Sequence, residues 1–284
     1  MYNFILMTKN IKALRVGFIG TGAICSLITR EIESGKVGNV EILALYDTDS
    51  LRAKNLYNQL MSDPRLYTSI DDLAKDSDID LVIECASPIA VVKSAEIVLR
   101  ANKNILIMSS GALLDKSYLS KLEKIANKNN KKIYIPSGAV GAIDTLNSLV
   151  GLLEEVSIIT TKSPKSLSGS PGFQKWEKNG INKKTLIFSG NAQQAIKLFP
   201  ANVNISATVS LSGLGAENTK VLVYADPLSK INTHEISIKS KAGNYNFRFE
   251  NLPSSDNPKT SLLAILSALQ TIRKINGNYL EIGS

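Results

Sequence analysis

Through the first half of the chain, short apolar runs alternate with longer amphipathic stretches. The runs at 15–19, 42–46, 81–84, 105–108 and 132–135 predict strands, and 23–34, 51–61, 70–75, 89–102 and 116–129 carry apolar residues at helical spacing. Strands that are apolar on both faces are buried on both faces. The alternation therefore predicts a parallel sheet covered by helices on each side.

The rhythm changes after Pro136-Ser137-Gly138-Ala139-Val140-Gly141. A helix is predicted over 142–153, then strands over 156–162, 185–189, 220–225, 234–240 and 244–250, interrupted by helices over 191–199 and 203–214. Ala242-Gly243-Asn244 reads as a hairpin turn. This half is α+β with an open, mixed sheet. A last helix is expected to start at Asn257-Pro258-Lys259-Thr260, with Asn257 as cap and Pro258 in the first turn. Its apolar face, Leu262, Leu263, Ile265, Leu266, Leu269 and Ile272, is expected to pack back on the first half. The expected division is 1–140, a parallel-sheet domain joined by 257–284, and 141–256, an α+β domain.

Composition narrows the classes. The 284 residues are 44% hydrophobic and 20% charged, an ordinary globular balance with enough length for a real core. The net charge is +8, but the lysines are scattered apart from Lys131-Lys132 and Lys183-Lys184. No basic stripe with interleaved aromatics marks a nucleic-acid binder, while the positive field suits anionic ligands. No apolar run nears the roughly 18 residues of a membrane span, and no secretory leader is expected in the first 14 residues. Cys25 and Cys85 sit in apolar segments without metal-pair spacing, so no metal is expected and a reduced, cytoplasmic setting fits.

The first strand runs into Gly20-Thr21-Gly22, and a helix follows at Ala23-Ile24. In a dinucleotide turn the first glycine permits the bend, and the second lets the backbone approach the pyrophosphate at the helix N-terminus. The third position, usually glycine, is Cys25 here. Asp47 ends the second strand, where a carboxylate can take the ribose hydroxyls of NAD; it can equally cap the next helix, and Arg52 is near enough to meet the 2′-phosphate of NADP. The loops Glu84-Cys85-Ala86-Ser87-Pro88 and Ser109-Ser110-Gly111-Ala112 follow parallel strands. Ala86, Ser87, Pro88 and Ser110 are thus candidates to border a nicotinamide. Cys85 reads as a small buried residue, the alternative being a nucleophile without a nearby histidine.

The single histidine, His234, lies in Asn232-Thr233-His234-Glu235-Ile236. A lone histidine is often structural, yet one with its ordinary pKa of about 6.5 can exchange protons at neutral pH. Pro200-Ala201-Asn202-Val203-Asn204 opens a helix of small residues and offers either a simple cap or a polar ligand cradle. Lys162, Lys165 and Lys259 are candidates for anionic groups, the alternative for each being a solvated surface lysine.

These segments resemble the L-aspartate dehydrogenase family over nearly the whole chain. The resemblance runs from the glycine turn through Pro136–Asp144, Phe199–Asn204, Ala225-Asp226-Pro227 and Asn232–Ile236 to Asn257–Ser261. It implies a Rossmann domain, a C-terminal domain like that of dihydrodipicolinate reductase, a homodimer, and oxidation of L-aspartate with NAD or NADP through iminoaspartate to oxaloacetate and ammonia. It further implies that His234 is catalytic and that Ala139 and Asn204, with Asn202 next, contact the cofactor. Asn202, Lys162, Lys165, Lys259 and Thr260 are then candidates for substrate. The competing readings are a homoserine dehydrogenase-like enzyme on the same architecture and a non-catalytic NAD-binding regulatory protein.

Overall fold

A computed structural model describes residues 12–200, 204–254 and 260–277. Six strands form the first sheet: β1 (Leu14–Ile19), β2 (Val40–Tyr46), β3 (Arg65–Tyr67), β4 (Leu81–Glu84), β5 (Asn104–Ile107) and β6 (Ile133–Tyr134). All pairs are parallel, in the order β3-β2-β1-β4-β5-β6. The connecting helices are α1 (Ala23–Glu33), α2 (Ser50–Tyr57), α3 (Ile70–Lys75), α4 (Pro88–Arg100) and α5 (Lys116–Lys128). Local chemistry starts them: Asp49, Ser69, Ser87 and Asp115 each accept a backbone N–H in the first turn of α2 to α5. The strand order reverses between β1 and β4. Their carboxyl ends form the crevice where open α/β sheets place ligands.

The second sheet comprises β7 (Leu153–Lys162), β8 (Thr185–Asn191), β9 (Thr219–Ala225), β10 (Asn232–Ser240) and β11 (Gly243–Asn251), ordered β11-β10-β7-β9-β8. β7 and β9 run parallel and the other neighbours antiparallel, so the sheet is mixed. Around it lie α6 (Ile143–Ser148), α7 (Pro164–Leu167), α8 (Gln174–Asn179), α9 (Ala192–Leu198) and α10 (Asn204–Leu211). The buried face of β7 and β10 changes character along its length. Val156, Ile158, Ile236 and Ile238 make its apolar half, and Thr160, Lys162, Asn232 and His234 continue the same parity as buried polar residues. That polar end is turned toward the first sheet's crevice.

The chain closes with α11 (Leu262–Ile275). Its Ile265, Ala268, Leu269 and Ile272 share a core with Val16 and Phe18 of β1 and Ile28 of α1. No described helix is long and apolar enough to cross a membrane.

Several boundaries differ from the pattern-based reading. β3 was not expected: three residues at a sheet edge, two of them exposed, leave no apolar run to detect. The helix predicted over 142–153 stops at Ser148; Val150 and Leu152 are exposed, and β7 starts at Leu153. Three short helical turns, including a 3-10 turn at Pro171–Phe173, occupy the Ser-, Pro- and Gly-rich stretch after β7 where none was predicted. The β10–β11 turn is Lys241-Ala242, with Gly243 already in β11. The last helix begins at Leu262 after Ser261, later than expected; Asn257 and Pro258 lie outside the described residues.

Candidate active site

The glycine turn is built for an anion. Gly20 has φ +89°, and a Cβ there would lie 2.6 Å from the Ala86 Cβ, so only glycine fits. Gly22 is the opposite case: no heavy atom lies within 4 Å of where its Cβ would be, leaving open space at the backbone. Gly22 precedes α1 without a side-chain cap, and no acidic residue sits in the first turn. The backbone N–H groups of this helix start, Ala23 included, are therefore not neutralised by the protein's own carboxylates. Cys25, in place of a third glycine, is fully buried against the first sheet's core.

Asp47 does not cap α2; Asp49 does, accepting from Leu51 N and Arg52 N. Asp47 Oδ2 instead accepts from Thr21 N at 2.8 Å and Thr21 Oγ1 at 3.0 Å, and Oδ1 accepts from Asp49 N at 2.9 Å. Burial opposes its charge, but these bonds and Arg52, 3.9 Å away, hold its carboxyl below the usual range. Asp47 is thus an ionised carboxylate beside the glycine turn, with a guanidinium within reach.

From the turn a cavity of about 540 Å³ opens between the two sheets. Ile24, Ala86, Ser87, Pro88 and Ser110 line its Rossmann side; Ala139, Lys162, Asn204 and Thr260 line the other. The structure therefore brings together most of the residues singled out from sequence. Cys85 is on the wall too, with its thiol pushed up by burial, which fits a packing residue rather than a nucleophile. Lys165 is not part of this cavity; it borders a separate surface depression with Trp176 and Glu177. Asn202 and Lys259 lie outside the described residues.

Asn204 Oδ1 is buried without a hydrogen-bond partner among the described residues. Asn204 borders the cavity, and a buried amide oxygen without a donor is one that a carboxamide N–H of a nicotinamide can satisfy. With the anion-ready turn and the open approach at Gly22, the residues present fit a nicotinamide dinucleotide.

His234 lies behind this wall and is fully buried. It pairs in register with Thr160, whose Oγ1 is 3.0 Å from His234 Nδ1, and its Nε2 has no partner among the described residues. Lys162 is two residues along β7 from Thr160, hence on the same face and diagonal to His234, a relation of roughly 7–8 Å between backbones. Burial and then the Lys162 charge push the imidazole down to about 3. Burial alone brings Lys162 down to about 8. At neutral pH the pair is an uncharged imidazole beside an ammonium. Lys162 is the one cationic side chain on the cavity wall among the described residues.

Sequence reasoning missed Thr160, an ordinary strand residue until its register with His234 is known. It also missed Ser261, whose hydroxyl accepts from Asn232 Nδ2 at 3.2 Å beside the cavity, and gave no role to Glu84, the buried carboxylate at the end of β4.

Comparison with known proteins agrees with this architecture. The family model described as "Aspartate dehydrogenase, C-terminal" matches residues 144–275, and "Homoserine dehydrogenase, NAD binding domain" matches 20–136. The chain is 42% identical to L-aspartate dehydrogenase of Methanosarcina barkeri, over 92% of this chain and 97% of that one. It is 41% identical to that of Methanocaldococcus jannaschii, with the same shares covered. The crystal structure of aspartate dehydrogenase from Thermotoga maritima superposes with a TM-score of 0.74 at 29% identity, covering 96% of this chain and all of that one. A myo-inositol dehydrogenase from Lactobacillus casei, at 14% identity and TM-score 0.54 over 86% of this chain and 76% of that one, shares the fold.

Proposed function

The chain belongs to the L-aspartate dehydrogenase family, and from that premise we propose that it oxidises L-aspartate with NAD or NADP, through iminoaspartate, to oxaloacetate and ammonia. The observation that carries this reading is the Lys162 ammonium on the cavity wall with the His234 imidazole buried beside it, behind that wall.

When bound, the nicotinamide supplies the acceptor for the hydride leaving the aspartate Cα. The rest falls to the chain. Gly20, Gly22, Ala23 and Ile24 receive the pyrophosphate, with Asp47 at the ribose. Ala86, Ser87, Pro88, Ser110, Ala139 and Asn204 seat the nicotinamide end, and Asn204 Oδ1 accepts from its carboxamide. Lys162 holds a substrate carboxylate by a charge-assisted hydrogen bond, and Thr260 borders the same end. His234, held beside Thr160, takes the proton that leaves the amine or the attacking water, its basicity rising when a substrate carboxylate offsets the Lys162 charge that, after burial, holds it low. Hydride and proton loss together convert amine to imine, which water hydrolyses or which passes on toward NAD biosynthesis.

Asp47 favours NAD, while Arg52 leaves room for the NADP phosphate. In this reading residues 1–140 with 257–284 hold the cofactor, and 141–256 supply the substrate side and the surface of a homodimer. Two buried free thiols suit a reduced cytoplasm.

The test is NADH and NADPH formation with L-aspartate beside L-glutamate, L-alanine and homoserine. Aspartate-selective reduction is expected, and no response to aspartate with either nucleotide overturns the reading. His234→Ala is expected to bind NADH normally and lose most turnover.

A further inference from the structure

β4 ends on a carboxylate that solvent does not reach, Glu84, flanked by Ile19 of β1 and Ile107 of β5. A buried carboxylate is tolerated only where donors surround it. Ala86 N donates to Oε1 at 2.8 Å, Ser109 Oγ to Oε1 at 3.0 Å, and Ser109 N to Oε2 at 3.0 Å. These donors come from two different loops, and both loops form the Rossmann side of the cavity. Ala86 is also the residue on which the Gly20 turn closes. Beyond Ser109, Ser110 Oγ lies 3.1 Å from both Asn204 O and Thr208 Oγ1 of α10. One carboxylate thus sits at the junction of the glycine turn, two cavity loops and the helix that carries Asn204.

We propose that Glu84 is a positioning residue for the dinucleotide: its carboxylate clasps the β4 and β5 loops into the shape that receives the nicotinamide end. This rests on the reading of the cavity as a nucleotide site, and not on the identity of the substrate. An amide cannot substitute. Glutamine offers one acceptor oxygen and an NH2 group, so in either orientation that NH2 faces the N–H of Ser109 or of Ala86.

Burial holds the Glu84 carboxyl above its ordinary range, against the pull of its hydrogen bonds from Ser109, Ala86 and Ser87. The titratable group beside it is the Cys85 thiol in its own loop, which in turn neighbours Cys25 of α1; burial pushes both thiols up, so neither is charged at neutral pH. The flanking strands contribute Ile19 and Ile107, and Asp47 across the turn titrates below the usual range. Acidification therefore neutralises Glu84 before Asp47.

The experiment is fluorescence titration of the full chain with NADH, for wild type, Glu84→Gln and Ser109→Ala, from pH 7.5 to 5 and with melting temperatures alongside. Glu84→Gln is expected to raise the dissociation constant about tenfold at pH 7.5 while melting within a few degrees of wild type. Ser109→Ala removes one donor and is expected to raise it about threefold. Wild type is expected to lose affinity as the pH falls, and Glu84→Gln to show a flatter profile. Wild-type affinity in Glu84→Gln, or the same acid limb in both, overturns the proposal and leaves the nucleotide site standing. Should Glu84→Gln not fold, a Ser109→Ala variant with unchanged affinity and a flat wild-type profile overturn it instead. Failure of wild type to bind NADH or NADPH overturns the site reading as well.

Discussion

An imidazole and an ammonium share one buried end of the β7–β10 face, where burial lowers both and the Lys162 charge lowers His234 further. His234 is held at about 3, below its unfolded value of about 6.5, so the unfolded chain takes up a proton that the folded chain refuses. Its contribution to stability is full above pH 6.5 and is lost as the pH falls toward 3. Between pH 7 and 5 the loss is about 2 kcal/mol. Carboxylates held low, such as Asp47 and Asp80, titrate below this window. Urea unfolding at the two pH values is expected to show this slope in wild type and a flatter one in His234→Gln. Lys162 makes a second prediction. Its charge is lost as the pH rises through about 8, so competitive inhibition by succinate, which has no amine of its own to titrate, is expected to weaken across that range. Lys162→Met is expected to bind succinate poorly at every pH, and strong pH-independent inhibition in that variant would remove Lys162 from the carboxylate site. Legibility at this scale followed uniqueness. His234 is the single histidine of the chain, whereas Lys162 and Lys165 look alike until one is seen to continue the buried parity of β7 and the other to follow Pro164 out of the strand. Asp47 and Asp49, two positions apart, both suit a cap, and only the hydrogen bonds divide their roles.

The strand-turn-helix unit of β1 and α1 asks different things of its two glycines. Gly20→Ala places a methyl against the Ala86 backbone in a left-handed conformation, and is expected to cost about 1–3 kcal/mol in strain besides the clash. Gly22→Ala meets no atom and leaves the fold alone, yet its methyl occupies the approach to the helix N-terminus. The expected pattern is a lower melting temperature with weak NADH binding for Gly20→Ala, and a wild-type melting temperature with weak NADH binding for Gly22→Ala. Full NADH affinity in Gly22→Ala would take the pyrophosphate away from this turn. The elements that were legible in sequence share this clarity. β4 and α3 match their predicted limits because apolar periodicity and caps coincide there. The reading failed where burial does not follow hydrophobicity. Val150 and Leu152 extend an apolar run past the end of α6 although both face solvent. The short turns from α7 to α8 are set by Ser163, by Pro164 and Pro171, and by Glu177, which accepts from Ser168 Oγ and Gly169 N, and such local bonds leave no periodic signal.

At the scale of the whole molecule, β1, α1 and α11 complete a single core although the second sheet lies between them in sequence, so the first sheet's core depends on a helix far along the chain. Ile265, Ala268, Leu269 and Ile272 of α11 fill the space beside α1, which starts at the glycine turn. Arg273 Nε donates to Lys36 O at 2.8 Å, just past the end of α1, and Gly138 N donates to Ser267 Oγ at 3.1 Å. The same helix starts beside the cavity, where Thr260, Ser261 and Ala264 belong to the wall. α11 therefore ties the far end of α1 to the cavity wall. Leu269→Ala opens a cavity against β1 and α1 and is expected to cost about 2–5 kcal/mol. Leu266→Ala, on the half-exposed face, is expected to cost under about 1 kcal/mol. Saturating NADH is expected to raise the stability of wild type and both variants, since ligand binding to the folded state adds stability by mass action, and to raise Leu269→Ala less if the lost packing beside α1 weakens nucleotide affinity. Urea unfolding of both variants with and without NADH checks this. Equal destabilisation of the two would mean that α11 does not pack through its Leu269 face, and an NADH gain in Leu269→Ala equal to that of wild type would separate that core from nucleotide affinity.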